Sequence, residues 1–505
     1  MNINTNMNNI RDRKEDIINN ILTEVLEKIR PSGEERKRLR KIFEYIKNRV
    51  TACLKNYVNE ECFEVSLQGS VAKDTFLSGE ADIDIFVIFN PTCTLDPSQI
   101  LTNFVTWLRT CLKDLPNYTE YAEHPYLIIN VKGLDINVVP SFRPLMRNNE
   151  VKFLTSVDRT PLHTNYILNK LSAEQRDEVR LLKSFLKALG IYGAEIRIRG
   201  FSGYLTELLI AYYGSFINVL KSSRQWRPFK TCIDLEGHYS NEEECLKVFE
   251  KSPLIVVDPV DSKRNAAAAL SLRSLSIFVL ASNLFLHKPS REFFHIYRKG
   301  EKLEGYLADE EFRKRGSTFI AVIVGLCEKT SPETIWGQLR RIEKVISQIL
   351  KERRYAVLYH DSWSDERKIA IIAFELAHLL ADCYEVFRGP SALDFENSVR
   401  FIEKNLGRIL AGPWIDENGY LHVIRKRKRC LEHEFAEVII PTIENILSIG
   451  SVRAVVHTLA EAEKHVAEIS GKDVLESFRQ WVKDFTYRNL VLDIYTASSD
   501  PDTNV

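Results

Sequence analysis

LQGSVAKDTFLSGEADIDIFVIF, residues 67–89, sets two aspartates, Asp82 and Asp84, into an otherwise apolar run shortly after the pair Gly69–Ser70. Residues two apart on a strand point to the same face. Two carboxylates held side by side repel, so an apolar strand rarely presents them unless a cation sits between them. Magnesium is the natural occupant, because it bridges phosphate oxygens, neutralises charge at a leaving group and lowers the pKa of an attacking hydroxyl. Gly69 lets the backbone come close to a phosphate, Ser70 can donate to its oxygen, and Lys73 supplies charge. A bare Asp-x-Asp is more often a solvated turn or strand edge. The upstream Gly-Ser and the apolar flanks shift the reading to a nucleotidyl-transfer site.

Such a site draws a third carboxylate from a neighbouring strand, to align or deprotonate the attacking hydroxyl. The candidate strand is VKGLDINVVP, residues 131–140, in which Asp135 and Asn137 share one face. It belongs to a block of short strands rich in β-branched and aromatic residues: FEVSLQG (63–69), DIDIFVIF (82–89) and YLIINVKGLDINVVP (126–140). Upstream, residues 10–57 read as two amphipathic helices, with Ile17, Ile18, Ile21, Leu22, Val25, Leu26 and Ile29 on the first. A Pro31-Ser32-Gly33 break precedes the second, which carries Ile42, Phe43, Ile46 and Val50. Downstream, residues 164–286 are patterned as helices, as in RDEVRLLKSFLKALG (176–190), where Gly190 serves as a stop. Beyond Pro289, STFIAVIVGL, IWGQLRRIEKVISQIL, YAVLYHDSW and KIAIIAFEL alternate strand and helix character, an α+β pattern. Further helices are expected over 391–406 and 430–490, and the terminal TASSDPDTNV reads as a frayed tail.

At 505 residues the chain is expected to hold several domains. Its 45% hydrophobic and 27% charged residues are those of a globular protein. The longest apolar stretches, 275–286 and 319–327, are too short to span a bilayer, and the polar start MNINTNMNNIRDRKEDII does not read as a secretory signal, so the cytoplasm is expected. Nine cysteines without a CxxC pair suggest neither a zinc site nor a disulfide framework, and are expected as reduced thiols. Lys plus Arg equals Asp plus Glu at 69 each, so support for nucleic-acid binding has to come from local patches. The best are Arg425, Lys426, Arg427, Lys428 and Arg429 in HVIRKRKRC, and Arg197 and Arg199 beside Phe201. Either can track a phosphate backbone or form a solvated face.

GSVAKDTFLSGEADIDIF, YAEHPYLIINVKGLDINVVP, VDRTPLHTNYI, EVRLLKSFLKALGIYGAEIRIRGFSGYLTELLIAYYGSF and VDPVDSKRNAAAALS together span residues 67–275. With them the chain resembles the archaeal class of CCA-adding tRNA nucleotidyltransferases, of the polymerase-β-like superfamily. FRGPSALDFENSVRFIEKN and PWIDENGYLHVIRKRKR extend a weaker similarity past residue 430. The resemblance implies an α+β multidomain fold: a polymerase-β-like nucleotidyltransferase head with a small mixed sheet and the N-terminal helices (1–160), a helical neck (161–288), and a tRNA-binding α+β body and tail (289–505). It implies magnesium-dependent addition of C, C and A from CTP and ATP to a tRNA lacking a complete CCA end, without a template. The partners are then tRNA, CTP and ATP, with no membrane, and a homodimer is compatible.

By motif position, the resemblance makes Asp82 and Asp84 metal ligands and sets Ser70, Lys73, His163, Lys183 and Tyr192 on the nucleotide. His124 and Arg264 fall near the base or the tRNA end, and Arg425 and Arg427 on tRNA. Chemistry alone would make His163 a core histidine, Lys183 a solvated face residue, Tyr192 packing and Arg264 a surface pair. Lys73 stands where the family usually has arginine, so a point charge replaces a bidentate fork. The third acid aligns with Asn137, which is neutral and cannot take a proton, while Asp135 aligns with the preceding acidic position. Asp135 is a substitute if the strand shifts. Two rivals follow: a weakened or inactive homologue that binds tRNA ends, favoured by Asn137, and another terminal transferase such as a poly(A)-type enzyme, which CTP dependence would separate.

Overall fold

The computed structural model describes residues 2–488 apart from 93–95, 122–123, 148–149, 250, 295–303, 329, 354, 378–383 and 427–430. Arg427 and the expected C-terminal tail therefore lie outside the described residues. The chain divides into two compact units at residue 300.

The first unit opens with helices α1 (Asn2–Ile29) and α2 (Gly33–Leu54). Between them Ser32 caps α2 by accepting from the Glu35 amide, and Glu34 and Glu35 place negative charge at the positive end of its dipole. There follow β1 (Phe63–Gln68), the short α3 (Gly69–Ala72), β2 (Ile83–Phe89), α4 (Pro97–Cys111), β3 (Asn117–Tyr121), β4 (Pro125–Val131), β5 (Leu134–Phe142) and a small hairpin, β6 (Leu145–Arg147) and β7 (Glu150–Lys152). Five of these strands form one sheet in the order β1-β2-β5-β4-β3, with β2 and β5 parallel and the other pairs antiparallel. Alternation along β2 and β5 gives the sheet two distinct faces. Ile83, Ile85, Val87, Ile136 and Val138 pack against Leu39, Phe43, Ile46 and Val50 of α2 and Phe104 and Leu108 of α4. The opposite face carries Asp84 and Asn137, side by side at the start of the ladder, followed by a small buried cluster of Phe86, Ile88 and Val139.

The chain then forms α5 (Thr160–Lys170), α6 (Ala173–Ala188), α7 (Gly203–Tyr213), α8 (Phe216–Ser223), β8 (Cys232–Asp234), α9 (Glu242–Val248), β9 (Ile255–Asp258), β10 (Asp261–Asn265) and α10 (Leu272–His287). A Ser172/Gln175 capping box starts α6. Its Phe185 is fully buried among the rings of Phe216, Phe278, Phe285, Phe293 and Phe294, at centroid distances of 5.5–6.2 Å. The apolar stripe of α1, through Ile18, Leu22, Val25 and Ile29, joins this helical cluster and not the sheet. The Pro31–Gly33 break makes that division possible.

The second unit contains α11 (Gly305–Lys314), β11 (Ser317–Leu326), α12 (Pro332–Glu352), β12 (Val357–Ser364), β13 (Ile369–Ala377), β14 (Tyr384–Ser391), α13 (Phe395–Asn405), β15 (Ile409–Ile415) and β16 (Tyr420–Lys426). It ends with α14 (Leu431–Glu434), α15 (Ile440–Ile446), β17 (Gly450–Val456), α16 (Leu459–Ser470) and α17 (Leu475–Tyr487). One antiparallel sheet runs β12-β13-β11-β17 and another β14-β16-β15.

Three expectations change. The stretch 164–286 is not wholly helical, since β8, β9 and β10 form a sheet in it. Helix does not run unbroken over 430–490: β17 interrupts it, because GSVRAVV supplies an edge to β11. The cysteines are not all reduced, for Cys53 is bonded to Cys111 and Cys232 to Cys245. Folding sets the ends of α2 and α4 together, with a Cα–Cα distance of 5.7 Å, and no local spacing announces that. Among the described residues, no helix is long and apolar enough to cross a membrane.

Phe185→Ala is expected to lower the unfolding free energy by about 3–5 kcal/mol, from lost burial plus the cavity left among five rings. Urea denaturation of the variant beside the parent checks this.

Candidate functional site

The turn from β1 into α3 brings Gly69 against Asp84. Gly69 has a left-handed backbone, φ +69°, and a Cβ there would collide with Asp84 Oδ2. Glycine is thus required both by conformation and by the approach of the carboxylate. Ser70 is half-buried on α3. Asn137 Nδ2 donates to Asp84 Oδ1 at 2.9 Å, and the parallel register aligns Asn137, not Asp135, with Asp84. Asp135 falls two residues earlier, accepts from Asn130 Nδ2 at 2.8 Å, and is exposed.

Burial and the nearby Asp135 carboxylate push Asp82 above the ordinary aspartate range. Asp84 is likewise pushed up, by burial first and then by Asp82, against the relief that the Asn137 amide gives. Neither has an ion pair among the described residues. A divalent cation would relieve both groups at once, so the residues fit the metal ligands expected of them.

Behind this pair lies a buried charge cluster. Lys73 Nζ donates to Glu207 Oε2 at 2.5 Å and Thr75 Oγ1 to Glu207 Oε1 at 2.6 Å. Lys183 Nζ donates to the Thr75 carbonyl at 3.0 Å and stands 3.7 Å from Glu207. Burial works to raise the Glu207 pKa, but the charges of Lys73 and Lys183 hold it below its ordinary value. Burial pulls Lys183 down to about 8. Arg180, one turn before Lys183, is also fully buried and donates from Nε to the Phe76 carbonyl at 3.0 Å, so α6 holds the loop after α3 by two side chains.

A second cluster adjoins the first through Tyr204, whose ring lies 5.9 Å from Lys73 Nζ and stacks on His163 at 3.9 Å. Its hub is Asp258, fully buried at the end of β9. Asp258 meets His163 Nε2 at 2.9 Å, Arg264 Nη1 at 2.6 Å and the Tyr204 hydroxyl at 3.1 Å. Burial opposes its ionisation, yet His163, the Val260 amide and Arg264 hold its pKa below the ordinary value. Burial also lowers His163, which is then neutral near pH 7. A carboxylate only accepts, so Nε2 carries the proton and Nδ1 remains an acceptor.

Tyr192 is half-buried, with its hydroxyl over Gly203 and Lys187 Nζ 5.4 Å from its ring. His124 is buried with neither ring nitrogen hydrogen-bonded among the described residues. Arg425 lies in the second unit and is engaged within the fold: it donates from Nε to Glu385 at 2.8 Å, pairs with Asn405 and stacks 3.2 Å from the Phe387 ring. The first unit thus brings Lys73 and Lys183 onto Glu207 and Thr75, and His163 and Arg264 onto Asp258 beside Tyr204, while Asp84 meets Asn137. Sequence reasoning missed those partners, Glu207, Thr75, Tyr204 and Asp258. A signal existed for two: Glu207 is a lone acid in the apolar helix GYLTELLIAYY, and Asp258 ends the apolar strand IVVD.

Comparison with known proteins supplies an independent finding. The family model described as "Nucleotidyltransferase domain" matches residues 52–163, "tRNA nucleotidyltransferase, second domain" matches 177–295, and "CCA-adding enzyme, C-terminal domain" matches 315–461. A CCA-adding enzyme of Pyrobaculum islandicum is 36% identical over 81% of this chain and 90% of its own. One of Sulfurisphaera tokodaii is 38% identical over 81% and 89%, and one of Pyrobaculum neutrophilum 34% identical over 81% and 91%.

Lys183 generates a pH dependence. Its pKa is lower in the folded than in the unfolded chain, so from about pH 8 to the ordinary lysine range the unfolded chain holds more protons, and stability rises with pH. Relative to Lys183→Met, the parent should gain about 3 kcal/mol across that window, at about 1.4 kcal/mol per pH unit. Denaturant unfolding of both proteins at pH 7, 8, 9 and 10 measures the difference.

Proposed function

Because the chain belongs to the family of archaeal-type CCA-adding enzymes, we propose that it adds C, C and A from CTP and ATP to the 3′ end of a tRNA lacking them, without a nucleic-acid template. The observation that carries this reading is the pair Asp82 and Asp84, raised in pKa, without a cation partner among the described residues, and packed against Gly69. Asp82 and Asp84 would hold magnesium, which when bound neutralises phosphate charge and activates the attacking hydroxyl.

The chain's own residues then have separable tasks. Ser70 and the Lys73–Lys183 pair face the triphosphate, with the two lysines carrying one positive charge more than Glu207 cancels. His163 offers Nδ1, and Arg264 its remaining donors, to the edge of the base, both oriented by Asp258. Tyr192 supplies an aromatic wall, and the unsatisfied ring of His124 awaits a polar partner at the RNA end. Asn137 can accept through its carbonyl but cannot take a proton. The carboxylate left on that strand for the 3′-hydroxyl proton is Asp135, near enough to Asp82 to raise its pKa. The remaining basic residues of HVIRKRKRC, with Arg427, are assigned to tRNA, and the protein to the cytoplasm. Three bodies, 1–160, 161–288 and 289–505, would serve as head, neck, and body with tail.

Labelled CTP and ATP should be incorporated into a tRNA lacking CCA in the presence of magnesium. Asp82→Ala should abolish incorporation, and Asn137→Asp should accelerate it. An inactive parent rescued by Asn137→Asp would instead mark a chain that binds tRNA ends without extending them. Asp258→Asn should raise KM for CTP and ATP about tenfold or more with a smaller effect on kcat, since one positioned base contact is worth about 1–3 kcal/mol. Steady-state kinetics with each nucleotide checks the split.

A further inference from the structure

Lys37, Arg38 and Lys41 recur at helical spacing on α2, with Ile42 and Tyr45 one turn further along the same side. Opposite them stands Lys132, and the groove so lined has a volume of about 760 Å³. All four cations line it, and none makes an ion pair or hydrogen bond among the described residues. Other cations of the same helix are satisfied: Arg36 pairs with Asp74 at 2.8 Å and Arg49 with Asp114 at 2.6 Å. The excess is local, because the whole chain is neutral and the groove's one acid is Glu34.

The place of the groove matters as much as its charge. Lys132 and Gly133 take left-handed conformations, φ +54° and +79°, at the tip of the β4–β5 hairpin. β5 begins directly after that tip and carries Asp135 and Asn137, the strand where the acceptor hydroxyl must arrive. Tyr45, 48% exposed, offers a ring for stacking on a base or ribose.

We propose that this groove is an RNA-backbone subsite, in which Lys37, Arg38, Lys41 and Lys132 bind phosphates of the tRNA strand and guide it toward the Asp82–Asp84 face. The proposal rests on the reading that the chain extends tRNA. An acidic protein would also satisfy the charges, but it would not account for the exposed ring or for the start of β5 beside the groove.

The test is tRNA binding across a salt series, for the full chain and for the variant Lys37→Gln/Arg38→Gln/Lys41→Gln/Lys132→Gln. At low salt the variant should bind a tRNA lacking CCA at least about tenfold more weakly, with a salt slope shallower by about one for each phosphate it no longer neutralises. KM for CTP and ATP and the thermal midpoint should stay unchanged. Equal affinity and salt slope in a parent that binds tRNA and adds CCA would overturn the groove alone. A parent that binds no tRNA would overturn the function and the groove together. A variant that lost binding of polyglutamate while keeping tRNA would assign the groove to an acidic protein and overturn the RNA subsite.

Discussion

Glu207 is the group on which the arrangement of the site depends. Its carboxylate is fully buried and is met from two sides, by Lys73 and Thr75 of the loop after α3 and by Lys183 of α6. Taking ions out of water costs several kcal/mol each, and only close pairing with further hydrogen bonds offsets it. Every partner is therefore held to its place. The loop cannot drift without stranding a charge, and the loop is what sets the Gly69–Ser70 turn against Asp84. Two lysines around one glutamate also leave one positive charge over. Burial alone would have worked against both lysine and glutamate ionisation.

The parts of this architecture that were legible in the sequence are those whose physics is local. Alternation over DIDIFVIF announces a strand with carboxylates on one side, and the 3.6-residue stripes of α1, α2 and α6 announce helices. Glycine at 190, read as a helix stop, takes the left-handed conformation that such a stop needs. What was not legible depends on residues far apart in the chain. Glu207 reads as an anomaly on a greasy helix until Lys73, 134 residues earlier, is seen beside it. Asp258 is silent until His163 and Arg264 meet it. Arg425 shows the converse: a row of five like charges reads as a surface, yet the strand pleat of β16 turns this one inward to Glu385 and Phe387.

Asn137 occupies a ladder position where the family is expected to place an acid. With an acid there, three carboxylates would crowd one edge of the sheet, and folding would have to proceed against their repulsion. The amide instead donates to Asp84 and relieves part of that repulsion within the chain itself. The same amide cannot take a proton. Assembly of this edge of the sheet is eased by that neutrality, and Asp135 is the carboxylate that remains on the strand.

The Cys53–Cys111 bond has a topological meaning beyond any stiffness it lends. It closes a covalent ring through α2, β1, α3, β2 and α4, so the Gly69 turn and both aspartates lie on the circumference of that ring. A single backbone cut anywhere between residues 54 and 110 would open the ring without releasing a fragment. Both halves would stay tethered through the bonded cysteines, whose Cα atoms lie 5.7 Å apart, and their reassociation would remain unimolecular. The Gly69 turn and both aspartates thus lie in a stretch of chain that a single nick would leave tethered.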